Sequence, residues 1–435
     1  MQIALRLLLG AGAVGLPLAV GAADWPQWRG PSRDGHSKET GLLKKWPKDG
    51  PERVWTFDKA GAGYAGPAVV GGKVYIMGAR GETEYLFVLD GKGQELWSAR
   101  IGPVYDFERN KWSRGPNATP TVDGDLIFAL GSQGELVCVD TSGKEQWRKS
   151  MLKDLGGRIS TVGGGPEGMG WGFGWSPLVD GEQLVCVPGG AQGLLAALNK
   201  KTGEVIWRSK GVQDLCTYSS PILATLGGVK QYIQATNAGL VGVAAKSGDV
   251  LWYFKRKRPW NDVVCPTPLR RGDRIYATAT PNGGCSLIQV KSEGGKFETE
   301  EIYSAKRIST YHGGVVLVGN YVYGYHNDRE WACQDFAKGG DNKWEPGRNA
   351  LGSGGSSGSL VYADGRLYCL AEKDGTGVAG MLEPNPEKYT EISRFTLPRK
   401  SAMRKENGGV WTHPVISDGY LYLRDQELIF CYKVK

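Results

Sequence analysis

The chain has 435 residues and a formal charge of +8, and its 66 glycines are about twice the usual share. Fifteen tryptophans and nineteen tyrosines exclude a disordered chain, and the small net charge gives no reason to expect nucleic acid as a partner. No run after residue 23 is apolar for the roughly 18 residues of a membrane helix, so no transmembrane segment is expected once the first residues are removed.

Those first residues, "MQIALRLLLGAGAVGLPLAVGAAD", carry one Arg, an apolar stretch from Leu7 to Val20, and small residues ending at Ala22-Ala23. This is the plan of a secretory signal cleaved after Ala23. Gly10, Gly12, Gly15 and Pro17 argue against a buried helix, and the absence of a following Cys argues against a lipid anchor. The mature protein is expected outside the cytoplasm, periplasmic or extracellular. Residues 24–50 read as an extension packing on the domain that follows, 51–435.

That domain is a repeat. A small or proline pair leads into a short apolar strand, a Gly/Asp turn, and a second strand rich in Val, Ile and Tyr. A third strand, an Asp/Lys-x-x-Gly turn and a fourth strand with Trp complete the unit. Copies run over 66–97, 119–147, 176–207 and 220–252, with weaker ones at 267–290 (ending near Tyr303), 313–344 (keeping its Trp) and 358–371 (ending near Phe395). The eighth, 413–435, stops after three strands, and "ERVWTF" at 52–57 is the donor for its fourth. Unpaired edges at both chain ends are a liability that ring closure removes. The expected fold is all-β: an eight-bladed β-propeller of four-stranded antiparallel blades, the N-terminal strand completing the C-terminal blade. Seven blades is the alternative, and a monomer is expected.

Trp55, Trp97, Trp147, Trp207, Trp252 and Trp344 recur at the end of the unit. Each supplies roughly 150–250 Å² of buried area, so these rings read as structural wedges between blades, with the preceding Gly supplying positive φ. Most of the eight cysteines sit in strand-like runs such as "LVCVD" and "IFCYK" and read as buried thiols. Among possible bridges, Cys216 to Cys265 is the best placed. The basic clusters "KRKR" (255–258), "RRGDR" (270–274) and "RKSAMRK" (399–405) read as solvated strand ends and loops.

The repeated D/K-x-x-(T/S)-G-x-x-x-W turn resembles the PQQ-like (pyrroloquinoline-quinone-type) propeller repeat. Quinoprotein alcohol dehydrogenases and the barrel-assembly lipoprotein of bacterial outer membranes share that repeat. "DWPQWRGPSRDG" (24–35), "HGGVVLVGNYVYGY" and "LYLRDQELIFCY" are similar to secreted PQQ-like propeller proteins of planctomycete-type bacteria. The resemblance covers residues 24–435. It implies that first strands line a central channel and that the loops before them open on one face.

Those loops hold Tyr64; Trp112, Arg114 and Asn117; Trp171, Phe173 and Trp175; Tyr218; Trp260, Asn261 and Asp262; Tyr311 and His312; Ser353 and Ser356; and Trp411 and His413. Aromatic rings with a few polar groups in one concavity make a binding pocket. Two longer segments, 104–118 and the Gly-rich 156–175, are expected above the same face. Partner or ligand binding there, to a protein, peptide or glycan, is the favoured reading.

The alternative is a dehydrogenase with bound PQQ and Ca²⁺. Trp171 or Trp175 would stack the quinone, and Arg109, Lys111 or Arg114 would meet its carboxylates. Asn261 with Asp262 would hold the metal, and Asp262 or Asp214 would be the base. The chain lacks the vicinal Cys-Cys pair and the haem site of many such enzymes.

Overall fold

The computed structural model describes residues 24–257, 259, 263–280, 283–306, 308–326, 330–355 and 357–435. The second unit shows how sequence becomes sheet. Thr121–Asp123, Leu126–Leu130, Glu135–Asp140 and Glu145–Ser150 form a four-stranded antiparallel meander. The inner strands are short and apolar because both of their faces are covered by neighbouring sheets. The last turn is closed by a side chain: Asp140 Oδ1 accepts the N–H groups of Ser142 at 2.9 Å and Lys144 at 3.1 Å. Gly143 takes the positive φ (88°) of that turn.

Seven four-stranded sheets and one three-stranded sheet repeat this plan among the described residues. The expected eight blades are therefore present, and seven is ruled out. Closure is as expected: Arg53–Phe57 pairs antiparallel with Leu428–Lys433, with Trp55 opposite Cys431 and Phe57 opposite Ile429. The departure is the sixth blade, built from Val315–Val318, Tyr321–His326 and Glu330–Asp335. The fourth strand expected to carry Trp344 is not formed. Lys343 N–H still donates to the Cys333 carbonyl (2.8 Å), and Asn342 Oδ1 accepts the Cys333 N–H (2.8 Å), so a loop covers that edge without a ladder.

Each last strand of the other seven blades carries a β-bulge at the same place. The residue skipped in the pairing is Val54, Leu96, Gln146, Ile206, Leu251, Ile302 or Ile392, so in five blades the bulge falls one residue before the blade's Trp and in another one before Tyr303. A bulge re-aims the next side chain. Leu96 and Ile206, both 48% exposed, owe their exposure to this register break.

The re-aimed ring meets the next blade. An added Cβ on Gly203 would lie 2.8 Å from the Trp147 ring. Gly93 faces Trp55, Gly143 faces Trp97 and Gly248 faces Trp207 in the same way, and Gly339 faces Tyr303. The indole N–H of Trp55 donates to the Gly91 carbonyl (3.0 Å), that of Trp147 to Lys200 (2.9 Å), and that of Trp207 to Ala245 (3.1 Å). Trp344, without a strand, still donates to Asn385 of the seventh blade at 2.7 Å. The turn glycine and the tryptophan of the repeat thus serve different interfaces: the glycine of one blade is the socket for the ring of the blade before it.

The axis of the ring is filled by the segment before the first blade. Trp25 pairs with Val69 through two backbone hydrogen bonds, and the Pro26 carbonyl accepts the Val122 N–H. Arg33 donates to the carbonyls of Ser176 and Pro177 at 2.9 and 2.8 Å. Arg29 reaches the Val315 carbonyl, Trp28 Nε1 donates to Thr267 Oγ1, and Gly35 and Ser37 bond Tyr362. With Ser37 Oγ also donating to the Ile416 carbonyl (3.0 Å), residues 25–37 touch the inner side of seven of the eight blades and plug the channel. Arg29 and Arg33 are buried and bonded mainly to carbonyls. Burial lowers their pKa to about 10 and about 9, the Arg29 charge adding to the second effect, and both remain cations at neutral pH.

All eight cysteines are free thiols, so the Cys216–Cys265 bridge is not formed. No helix among the described residues is long and apolar enough to cross a membrane.

Candidate functional site

A cavity of about 740 Å³ opens at one mouth of the channel, above the plug. Its floor is Trp28, whose ring meets His413 edge-on at 4.6 Å. One wall is a column of stacked rings: Tyr64 on Trp411 (4.7 Å), Trp411 on His312 (4.3 Å), and His312 on Tyr311 (5.9 Å). The opposite wall runs Trp112, Trp171, Tyr218, with centroids 5.9 and 6.0 Å apart.

Two loops form the rim, and they are clasped to each other. The Tyr64 hydroxyl donates to the Trp112 carbonyl (3.0 Å), and the Asn407 N–H to the Lys111 carbonyl (2.8 Å). Lys405 Nζ bonds Asp106 (2.5 Å) and the Asn110 carbonyl, and Lys111 pairs with Glu406 (2.9 Å). The Gly-rich segment is braced from below. Tyr218 accepts the Trp171 N–H and donates to the Val162 carbonyl. Its glycines allow close approach: an added Cβ on Gly170 would fall 2.4 Å from the Val162 carbonyl oxygen, and one on Gly172 2.5 Å from that of Ser132.

The lining contains no charged side chain among the described residues. Burial lowers His312 to about 4, and burial with the Arg29 charge behind it lowers His413 to about 3. Both are neutral at physiological pH. His413 Nε2–H donates to the His312 carbonyl at 2.8 Å, which fixes its tautomer. The free polar groups are small. The carboxamides of Asn117 and Asn407 and the Ser113 hydroxyl make no hydrogen bond among the described residues.

Of the loop residues expected at this face, Tyr64, Trp112, Asn117, Trp171, Tyr218, Tyr311, His312, Trp411 and His413 line the cavity. Trp175 and Phe173 do not: both are fully buried in the core between the second and third blades. Arg114 is held outside by Glu82 (2.6 Å) and Asp106 (3.5 Å). Ser353 sits in a turn of the sixth-to-seventh blade connection, away from the cavity. Trp260, Asn261, Asp262 and Ser356 lie outside the described residues. Trp28 and Asn407 were missed. Trp28 belongs to the N-terminal segment rather than to a loop before a blade, and Asn407 sits in a charged run with no repeat register.

Among the described residues nothing is placed to hold PQQ, and Asn261 and Asp262, the residues expected to hold Ca²⁺, lie outside them. A tricarboxylate would find no free cation on the walls, since Arg114 and Lys111 are paired outside and Arg109 is exposed away from the lining. Asp214, the proposed base, is not in the lining and accepts the Tyr253 hydroxyl. Among the described residues no group of three His, Cys, Asp or Glu is placed to hold a metal ion.

Comparison with known proteins agrees with the fold. A family described as outer membrane protein assembly factor BamB matches residues 83–346. Outer membrane protein assembly factor BamB of Burkholderia pseudomallei (strain K96243) is 24% identical over 270 residues, 60% of this chain and 61% of that relative. The match thus spans about three fifths of the relative's length. Among solved structures, BamB from Moraxella catarrhalis superposes with a TM-score of 0.57 at 14% identity, covering 88% of this chain and 98% of that one. The computationally designed Ika8 protein superposes at 0.54 and 12% identity, over 88% of this chain and all of that one. With more than half of the chain matched and the ring of PQQ-like blades in place, the protein belongs to the family of outer membrane protein assembly factor BamB.

Proposed function

We propose that the protein is an exported scaffold that binds a partner or ligand at the aromatic mouth of its propeller and carries out no chemistry there. The observation behind this reading is the lining itself: among the described residues, rings and small amides, no charged side chain, and two histidines kept neutral and tied to backbone or to other rings. General acid–base work at neutral pH needs a group titrating nearby, and these two histidines titrate far below it. Relatives named for outer-membrane protein assembly support action by association, and the apolar leader at residues 1–23 supports export.

The test is a titration of the purified protein with PQQ and Ca²⁺, followed by absorbance and by reduction of an artificial electron acceptor with alcohols present. No turnover is expected at high micromolar quinone. Turnover that disappears in Trp171→Ala would overturn the scaffold reading in favour of a quinoprotein dehydrogenase.

A further inference from the structure

The chemistry of the mouth goes further than "a ligand". Among the described lining residues, Val162 and Val263 are the branched aliphatics, and most of the remaining apolar surface is aromatic. An acyl chain gains most from aliphatic walls that mould around methylenes, and little from ring faces set at fixed angles. A cation is disfavoured as well, because the buried Arg29 guanidinium lies behind His413, hydrogen-bonded to the Asp34 and Val315 carbonyls, and its charge is felt at the His413 ring. An anion finds no free cation among the described wall residues.

What remains is a neutral molecule with apolar faces and a hydroxyl-rich edge. Aromatic faces carry negative quadrupole density, which attracts weakly positive C–H groups. The free carboxamides of Asn117 and Asn407 each offer donors and an acceptor, and the Ser113 hydroxyl offers one of each kind. Hydroxyl groups, which both donate and accept, use both halves of such amphoteric partners, whereas a carboxylate or an ammonium uses one half and finds no opposite charge among the described lining residues. The 40% exposed Trp112 ring stands at the rim, where a chain entering from solvent meets it first.

We infer that the mouth binds a neutral saccharide chain, its pyranose faces laid on Trp112 and the rings below and its hydroxyls bonded to Asn117, Ser113 and Asn407. This rests on the binding reading above. An open pocket of this size holds several sugar rings, and binding needs no movement of the clasped loops.

The experiment is tryptophan fluorescence and calorimetry on the full protein with cellohexaose, maltohexaose and chitohexaose, with oligogalacturonate and decaproline as the contrasting probes. Trp112→Ala and Asn407→Ala alter exposed side chains, so both variants are expected to fold as the parent does. Saturable binding of at least one neutral hexasaccharide, at least ten-fold weaker in Trp112→Ala, partly restored in Trp112→Phe, and several-fold weaker in Asn407→Ala, is the expected result. Affinity should be insensitive to salt. Binding of oligogalacturonate alone, or neutral-sugar binding unchanged in both variants, would overturn the inference. Decaproline binding that depends on Trp112, with every sugar silent, would sink the saccharide while sparing the scaffold reading. Silence from every probe would count against both.

Discussion

Trp147 and Trp112 are the same residue type about one turn of sequence logic apart, and the molecule treats them in opposite ways. At the outer end of the second blade, Trp147 is 8% exposed, its N–H is bonded to Lys200, and its face is capped by Gly203. At the channel mouth, Trp112 is 40% exposed and touches Trp171 only edge-on. The outer rings recur with the repeat, and the indole N–H groups of Trp55, Trp147, Trp207, Trp252 and Trp344 are all bonded within the protein. The inner rings fall outside the repeat pattern and turn toward the cavity, and Trp112 keeps much of its surface free. Satisfaction of its own groups, more than residue type, separates a structural aromatic from a binding one in this fold.

That contrast is easiest to break with the largest truncation. Trp147→Ala should lower unfolding stability by about 3–5 kcal/mol, as for other buried aromatic truncations, whereas Trp112→Ala should stay within about 0.5 kcal/mol. Equal urea midpoints for the two variants would erase the distinction between rim and mouth.

Next come two glycines. Gly203→Ala combines a positive φ of 73° with a Cβ 2.8 Å from the Trp147 ring, while Gly124→Ala has positive φ (58°) and open space. The first should cost about 2–3 kcal/mol and the second about 1 kcal/mol. Thermal melts of both, alone and in Trp147→Ala, isolate the ring contact: the extra cost of Gly203→Ala should vanish when the ring is absent.

A charged site between the first two blades sharpens the comparison from the other side. Glu84 is buried, accepts the N–H of Ser132 at 2.8 Å and its hydroxyl, and lies near Glu135. Burial pushes its pKa from the ordinary 4.5 up to about 7, opposed by the Ser132 bonds and raised further by Glu135. The folded protein therefore holds this proton more tightly than the unfolded chain. The stabilising effect is complete below about pH 4.5 and is lost as pH rises through 7. Glu84→Gln should flatten that loss, raising stability at pH 8 by about 1–3 kcal/mol and changing it little at pH 5. Urea titrations at the two pH values decide it; equal effects at both would show that the carboxyl ionises freely in the fold.

The smallest effect is expected at the mouth. His312 and His413 have depressed values, so the neutral rings favour the fold above about pH 6.5 and that contribution falls as pH drops toward 4 and 3. Ligand affinity should be flat between roughly pH 5.5 and 8. A two-fold or larger change across that window would mean that one histidine titrates in the pocket.

Repeat, blade count and closure were legible because they depend on strand-length apolar runs and turn residues that recur at a readable period. The Trp–Gly socket was only half legible. Both residues stood out within each unit, but their contact joins different units, and the bulge at Gln146 or Ile206 that aims the ring has no distinct sequence mark. The sixth blade shows the cost of reading by register alone: Trp344 kept its period and its burial while the strand around it did not form. At the site, most residues preceding a first strand were placed well, whereas Phe173 and Trp175, two and four residues along the same Gly-rich run from Trp171, turned into the core. Alternating direction in an irregular segment is set by tertiary packing and cannot be counted off. Trp28 was out of reach for a simpler reason: nothing local says that a segment ahead of the first blade will thread the axis.

The axial segment has a consequence for how the molecule is made. Trp25–Ser37 leaves the ribosome before any of its sockets exist, and Thr267, Tyr362 and Ile416, which hold it, are synthesised long afterwards. Its contacts with Val69, Val122 and Ser176 belong to the first three blades, but the set is complete only once Thr267, Tyr362 and Ile416 are in place. The last contact of the plug, Ser37 on the Ile416 carbonyl, and the closing pair Arg53–Phe57 with Leu428–Lys433 both need the eighth blade, so a nascent chain halted before it would lack both.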